Sequence, residues 1–306
     1  MLRKILSAML VVVFMLSTVV VSAEIPRELN SLDRTIAVEK MIYGAEQTGA
    51  LLDRVKKLET DIYGMETEDA LLVKIDKLYD YVYGASVAEP SLLLKLNAAE
   101  WSVSHAVTSG PALQRLDNLE RSIYGTNEQG GINERLAKLL NMTYTSGQLN
   151  TVTTTVNKDS LIKIEMVSEL NSKSSRVGDE VVFQVAEDVY FGGVLIVAKG
   201  ALGTGKVTKV ERSRNFGRDA ELEMSFDSIT AIDGSLLPTY VGEKAKAETQ
   251  SLAKAAGASV AGMVILGPIG VVGGAFIKGK DITIKPGALM YVQTREDAGV
   301  TGISAQ

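Results

Sequence analysis

Between residues 33 and 145 one short pattern returns six times. "DRTIAVEKMIYG" ends at Gly44, "DRVKKLETDIYG" at Gly64, "VKIDKLYDYVYG" at Gly84 and "QRLDNLERSIYG" at Gly125. "LKLNAAEWSVSH", ending at His105, and "ERLAKLLNMTYT", ending at Thr145, fit the same frame in degenerate form. The tyrosine position falls at Tyr43, Tyr63, Tyr83, Ser104, Tyr124 and Tyr144, with spacings of 20, 20, 21, 20 and 20 residues. A period this constant is the signature of a repeat architecture. Val55, Leu58 and Ile62 lie three and four residues apart and so share one helical face, as do Ile75, Leu78 and Val82, and Leu116, Leu119 and Ile123. The glycine after the tyrosine is a left-handed C-cap. Thr48, Thr67 and Ser109 are candidate N-caps, and Pro90 and Pro111 sit near helix starts. Each unit is therefore a helix of about 12–14 residues, too short to be stable alone, which packs on its neighbours or on a partner.

Tyr43, Tyr63, Tyr83 and Tyr124 admit two readings. They are half-buried residues that staple helix ends with the hydroxyl at the rim, or they form a ladder of rings for a polymer such as a glycan or another chain. The pattern resembles a leucine-arginine-leucine-glutamate repeat closed by an aromatic-glycine pair, found in envelope proteins of some bacteria. The resemblance spans residues 32–144 and implies an extracytoplasmic setting without any chemistry.

The first residues agree with that setting. Arg3 and Lys4 precede an apolar run, Ile5 to Val21, and Val21-Ser22-Ala23 is a small-residue cleavage site. The run is nearly long enough to remain as an uncleaved anchor instead. Without Arg3 and Lys4 the formal charge falls from −5 to −7, which argues against a nucleic-acid partner. The chain has no cysteine, hence no disulfide and no thioether lipid anchor. His105 is the only histidine; with no cysteine beside it a zinc site is not expected, and it reads as a surface cap residue. No cofactor is expected.

Thr145 to Ser160, "TSGQLNTVTTTVNKDS", reads as a linker or an extended edge segment. Beyond it the period becomes two. Candidate strands are Leu161–Ser168, Glu180–Ala186, Val194–Val197, Leu202–Arg212, Ala220–Thr230, Leu236–Val241, Asp281–Lys285 and Leu289–Thr294, separated by turn residues. Short strands at this spacing suggest a small barrel or sandwich. The stretch "AKGALGTGKVT", Ala198 to Thr208, nearly spells a phosphate-binding loop. It lacks the hydroxyl after the lysine, where Val207 stands, and the following helix. It reads as a strand, a turn at Ala198-Lys199-Gly200, and a second strand in which Gly203 and Gly205 mark bulges or bends. A nucleotide is not expected.

Three turn segments, Ala198-Lys199-Gly200, Phe216-Gly217-Arg218 and Ile232-Asp233-Gly234, come in an order similar to that in the C-terminal β-barrel domain of the outer-membrane scaffold family of type IV, conjugation-type secretion complexes. The resemblance covers about residues 161–294. It implies a barrel with an apolar helical excursion between late strands that reaches into the outer membrane. The chain departs from that family in its cleavable leader and in having six prolines in all.

Ala255 to Ile277, "AAGASVAGMVILGPIGVVGGAFI", is the excursion's counterpart: 23 residues without a charge. Gly257, Gly262, Gly267, Gly270, Gly273 and Gly274 leave surfaces for close helix approach, and Pro268 invites a break. Nine residues are Val, Ile, Leu or Phe. They give an insertion gain of only about 3–5 kcal/mol. The segment therefore suits a membrane only when copies pack together; the opposing reading is a buried glycine-rich hairpin of a soluble domain. If the later strands complete the barrel, the segment must leave and return as a hairpin.

The expectation is a segregated α+β chain: residues 1–23 a signal, 24–145 six helical repeats, 146–160 a linker, 161–296 a β domain carrying the apolar helical hairpin, and 297–306 a flexible tail. Its expected function is a non-enzymatic protein of the bacterial periplasm and outer membrane, a homo-oligomer with a helical spacer or docking region. The alternative is a module that binds peptidoglycan or another glycan, or another envelope protein, through the repeat tyrosines. A third reading, an envelope hydrolase, rests on Asp179, Glu180, Asp227 and Asp233.

Overall fold

The computed structural model describes residues 29–84, 86–145, 147–213, 219–255, 274–279 and 282–304. The expected signal, residues 1–23, and the segment Phe216-Gly217-Arg218 lie outside them.

Six helices come first: α1 (Ser31–Tyr43), α2 (Leu51–Tyr63), α3 (Leu71–Tyr83), α4 (Leu92–Ser104), α5 (Ala112–Tyr124) and α6 (Ile132–Thr143). The first five end on the tyrosine position of the repeat. Gly44, Gly64 and Gly125 take the left-handed C-cap, with φ of 86°, 83° and 79°. Gly84 does not: its φ is −76°. The N-caps also differ from expectation. Asn30 and Ser91 cap through their side chains, while Ala50, Ala70, Pro111 and Gly131 hold the other cap positions without a side-chain bond. Thr67 instead turns back to the Glu59 carboxylate, because a buried acid is a better partner than a helix end open to water.

Helices α2 and α3 bury the predicted stripe: Val55, Leu58 and Ile62 are fully enclosed, and so are their counterparts Ile75, Leu78 and Val82; in α5 Leu116 and Leu119 are buried and Ile123 only partly so. Helix α1 packs on α3, and α4 packs on α6 in the same way. The Tyr83 hydroxyl donates to Ala37 O at 3.0 Å, and the Tyr144 hydroxyl donates to Ala98 O at 3.1 Å, both across 46 residues. The array is thus two sets of three helices in equivalent arrangement. They meet where α1 touches α5 and α2 touches α6. At the second contact a Cβ on Gly131 would lie 2.6 Å from Gly64 N, so only glycine lets the two units close.

The β region contains a closed barrel. Around it run β7 (Leu202–Glu211), β4 (Glu180–Val185), β2 (Leu161–Met166), β13 (Leu289–Thr294), β10 (Leu236–Tyr240) and β9 (Ser228–Thr230), and β9 pairs back to β7. All six pairings are antiparallel. Closure removes the exposed edges of the sheet. Alternate residues fill the interior: Ile162, Ile164 and Met166 of β2, and Val181, Phe183 and Val185 of β4. From Val207 on, β7 pairs with β8 (Ala220–Ser225), with a bulge between Val207 and Lys209, and β8 carries β11 (Gly274–Gly279). Gly203 and Gly205 are not the bulge; they sit in regular pairs with Phe183 and Val181. Their role is clearance, since a Cβ on Gly203 would lie 2.2 Å from the Phe183 ring and one on Gly205 would lie 2.0 Å from Ser225 O.

Of the two readings of residues 145–160 the extended one holds, and the expected flexible tail is a strand as well. The linker holds β1 (Thr151–Val156), and the tail holds β14 (Ala298–Ser304). They pair along their whole length, Thr151 with Ile303 to Val156 with Ala298. β14 also pairs with β6 (Val194–Val197), and β6 pairs with β5 (Val189–Phe191), giving a second sheet. β3 (Leu170–Asn171) and β12 (Thr283–Ile284) form a small ladder, and α7 (Glu243–Ala255) packs on β13.

The two regions join at α4, the degenerate repeat. Its residues Leu92, Leu93, Leu94, Leu96, Ala98 and Ala99 are all buried, because one face meets the other helices and the opposite face meets the barrel. A helix that is apolar all round is a buried helix. Leu93 presses on the Gly234 turn, Asn97 Nδ2 donates to Ile232 O at 2.7 Å, and Trp101 Nε1 donates to Asp188 at 2.8 Å. The next turn adds Val107 N to Lys199 O at 2.8 Å, which puts the "AKG" turn against the helices.

Candidate functional site

Consecutive repeats are tied by a buried ion pair. Arg54 Nε and Nη2 donate to the two oxygens of Glu39 at 2.8 and 2.6 Å. Lys74 donates to Glu59 at 2.7 Å. Arg115 grips Glu100 at 3.0 and 2.7 Å, and Arg135 grips Glu120 at 2.9 and 2.7 Å. In each case the partners are 15 residues apart. Three of the carboxylates also accept a backbone N–H from the turn that follows: Gln47 to Glu39, Thr108 to Glu100, and Glu128 to Glu120. A buried acid with all its oxygens occupied is tolerable; a bare one is not. This is the physical reason that arginine and glutamate belong to the repeat.

One boundary breaks the rule. Between α3 and α4 the spacing is 21, Gly84 is not left-handed, and Tyr79 stands where the glutamate belongs. Lys95 keeps the cation position, one repeat from Lys74 and Arg115, without the preceding-unit glutamate that grips the others. Among the described residues it makes no ion pair; its ammonium lies 5.2 Å from the Tyr81 ring centroid. Burial pushes its pKa down, and Glu89 opposes that.

The broken boundary opens a cleft of 650 Å³. Its walls are Tyr63, Lys77, Asp80 and Tyr81, with Lys95, Asn133 and the loop residues around Glu89. The rings of Tyr63 and Tyr81 meet edge to face with centroids 5.4 Å apart. The Tyr81 hydroxyl donates to Asn133 Oδ1 at 2.6 Å, so the amide N–H groups of Asn133 face outward from that bond. Lys77 is held by Asp69 at 2.7 Å. Aromatic faces, an amide, an unpaired ammonium and two carboxylates make a surface suited to a polar ring-shaped ligand.

Of the four tyrosines singled out in the sequence, Tyr63 lines this cleft. Tyr43 is covered by Lys57, 4.0 Å from its centroid, and its hydroxyl donates to Asp61 at 2.8 Å. Tyr83 is tied to α1 through Ala37, and Tyr124 is half-buried against the helical core. The stapling role thus holds for Tyr43 and Tyr83. Tyr81, Lys95 and Asn133 escaped the sequence reading. The interrupted spacing before α4 was the available signal. His105 is exposed and caps α4 in the left-handed region at φ 50°.

Burial raises the phenol pKa of Tyr63, with Glu59 adding to it, and of Tyr83 and Tyr144, each to about 12. Unfolded tyrosine releases its proton near 10.0. The unfolded chain therefore loses protons first, and stability is intact below pH 10.0 and declines as pH rises towards about 12. In an alkaline titration the helical signal should fall in step with the late phenolate absorbance. Full ionisation of all ten tyrosines near pH 10.0 with the helices intact would contradict this.

Gly274 opens β11, so the last residues of the uncharged segment are extended and paired with β8. Gly257, Gly262, Gly267, Pro268, Gly270 and Gly273 lie outside the described residues. No helix among the described residues is long and apolar enough to cross a membrane. Of the carboxylates considered for hydrolysis, Asp233 is spent on structure: it accepts from Ser235 N at 2.9 Å and from Thr301 N at 2.8 Å, fixing β14 to its turn. Asp179 accepts from Arg176 N at 2.8 Å within its own turn.

No family model matches the chain, and no curated protein matches it. Among solved structures it is similar to ComB10 of the Com type IV secretion system of Helicobacter pylori, at 13% identity, over 47% of this chain and 88% of that one, with a TM-score of 0.27. A superposition that loose defines neither fold nor function.

Proposed function

We propose that this chain is a non-enzymatic protein of the bacterial cell envelope, whose barrel seats at the outer membrane with other copies of itself while the helical array acts as spacer and docking arm. The observation that carries this reading is where the uncharged segment departs and returns. α7 ends at Ala255 while packed on β13, a barrel strand, and β11 begins at Gly274 on β8. The described residues on both sides of the 18 uncharged residues 256–273 are therefore fixed to the β region. The seam at α4 holds the helices against the same base, so a load on the arm reaches the barrel through Leu93, Asn97 and Trp101.

Fractionation of cells making the full chain tests the reading. Recovery with the outer membrane and self-cross-linking are expected, both diminished when Gly262 and Gly270 become leucine. Recovery wholly in the soluble periplasmic fraction, indifferent to those changes, would reject it.

The cleft at Tyr63 and Tyr81 favours a second reading, in which the arm holds a glycan. Tyrosine rings present an apolar face beside a hydrogen-bonding tip, which is what a sugar ring offers in return.

A further inference from the structure

We infer that the cleft between α3 and α4 binds a carboxylate-bearing saccharide, whose acid group takes the place of the glutamate missing from that repeat boundary. The inference rests on the glycan reading and adds the charge of the ligand.

Arg54, Lys74, Arg115 and Arg135 occupy one position in successive units, and each is paired with a glutamate of the preceding unit. Lys95 is the fifth cation of that series. Its predecessor unit offers Tyr79, whose ring is engaged by Arg34 and Tyr83. The same boundary is the one with the longer turn and the irregular Gly84, so the missing anion and the open space come from one local departure. A half-buried ammonium without a direct ion pair, which feels Glu89 only at longer range, gains more from an anion in contact than a solvated one does, because its water has already been partly removed.

The rest of the cleft selects what carries the anion. Tyr63 and Tyr81 supply ring faces for the C–H side of a pyranose. Asn133 supplies amide donors. Asp80 and Glu89 accept hydroxyl protons, but they repel a ligand of high charge density such as an acidic peptide. A sugar acid has one carboxylate per ring and hydroxyls on the rest of its rim, which meets all three demands. The volume of 650 Å³ lies within the range of small-ligand sites and admits a short oligomer.

Calorimetric titration of the full chain with trigalacturonic acid, and with neutral galactotriose beside it, tests the assignment. The acid should bind and the neutral sugar should bind more weakly. Lys95→Gln should weaken the acid about tenfold or more. Lys95→Arg should retain it, and rising salt should weaken it. Lys95 makes no internal ion pair, so these variants fold. Equal binding of both sugars, unchanged in Lys95→Gln, overturns the assignment and leaves the glycan reading standing. Binding of neither overturns both.

Discussion

Replacing Glu120 with alanine should destabilise the helical array by about 3–5 kcal/mol. Glu120 is fully enclosed, and it receives Arg135 on both oxygens and the Glu128 N–H on one. Truncation leaves a guanidinium that is only 8% exposed with Asp117 as its remaining anion, at 2.5 Å. It also orphans a backbone donor in the turn. The cost is therefore the desolvation of two groups, which exceeds the loss of one attraction. The control is the pair Glu120→Leu with Arg135→Met, which removes both charges and keeps the volume. It should recover most of the loss, because no charge is then left buried. Urea titration reads both. A single variant within about 1 kcal/mol of the parent would mean that the ion pair is spectator chemistry.

Phe183→Ala should cost a similar amount, about 3–5 kcal/mol, in the barrel. The Phe183 side chain is fully buried, and its ring meets Phe226 edge to face at 5.1 Å between centroids. It lies across the bare backbone of Gly203 on the neighbouring strand. The strands are hydrogen-bonded into a closed ring and cannot collapse into the space, so most of the cavity persists. Gly203→Ala alone should be destabilising, because its methyl would occupy the ring's position. In the Phe183→Ala background the same change should cost much less or nothing, since the methyl then fills part of the void. A double-mutant cycle in guanidinium measures this coupling. Strict additivity would show that Gly203 is required for some reason other than clearance.

The sequence made the helices legible because their determinants are local. Periodicity, the tyrosine-glycine terminus and the fixed spacing are properties of neighbours within one or two turns. Some strands were legible for the same reason: the continuous apolar run Val194–Val197 and the segment Leu289–Thr294 have the bounds that the sequence reading gives. The predicted strand Ala220–Thr230 is interrupted at Phe226 and Asp227, where the chain passes from the outer flap into the barrel wall. Local pattern does not register that passage, since both halves alternate.

Tertiary structure decided the rest. "TVTTTV" and "AGVTGIS" carry little alternation, and each is a strand only because the other exists 148 residues away, where Thr153 and Thr301 share a hydrogen bond. The degeneracy of the fourth repeat looked like decay of a pattern. It is instead the cost of serving two interfaces, since Leu93 and Trp101 face the barrel, where the other repeats face water. The cleft has the same origin. One inserted residue and one tyrosine in place of a glutamate change this boundary and leave Lys95 without the glutamate that its counterparts have. A single unit's sequence holds no trace of that, because a missing contact is a property of the pair.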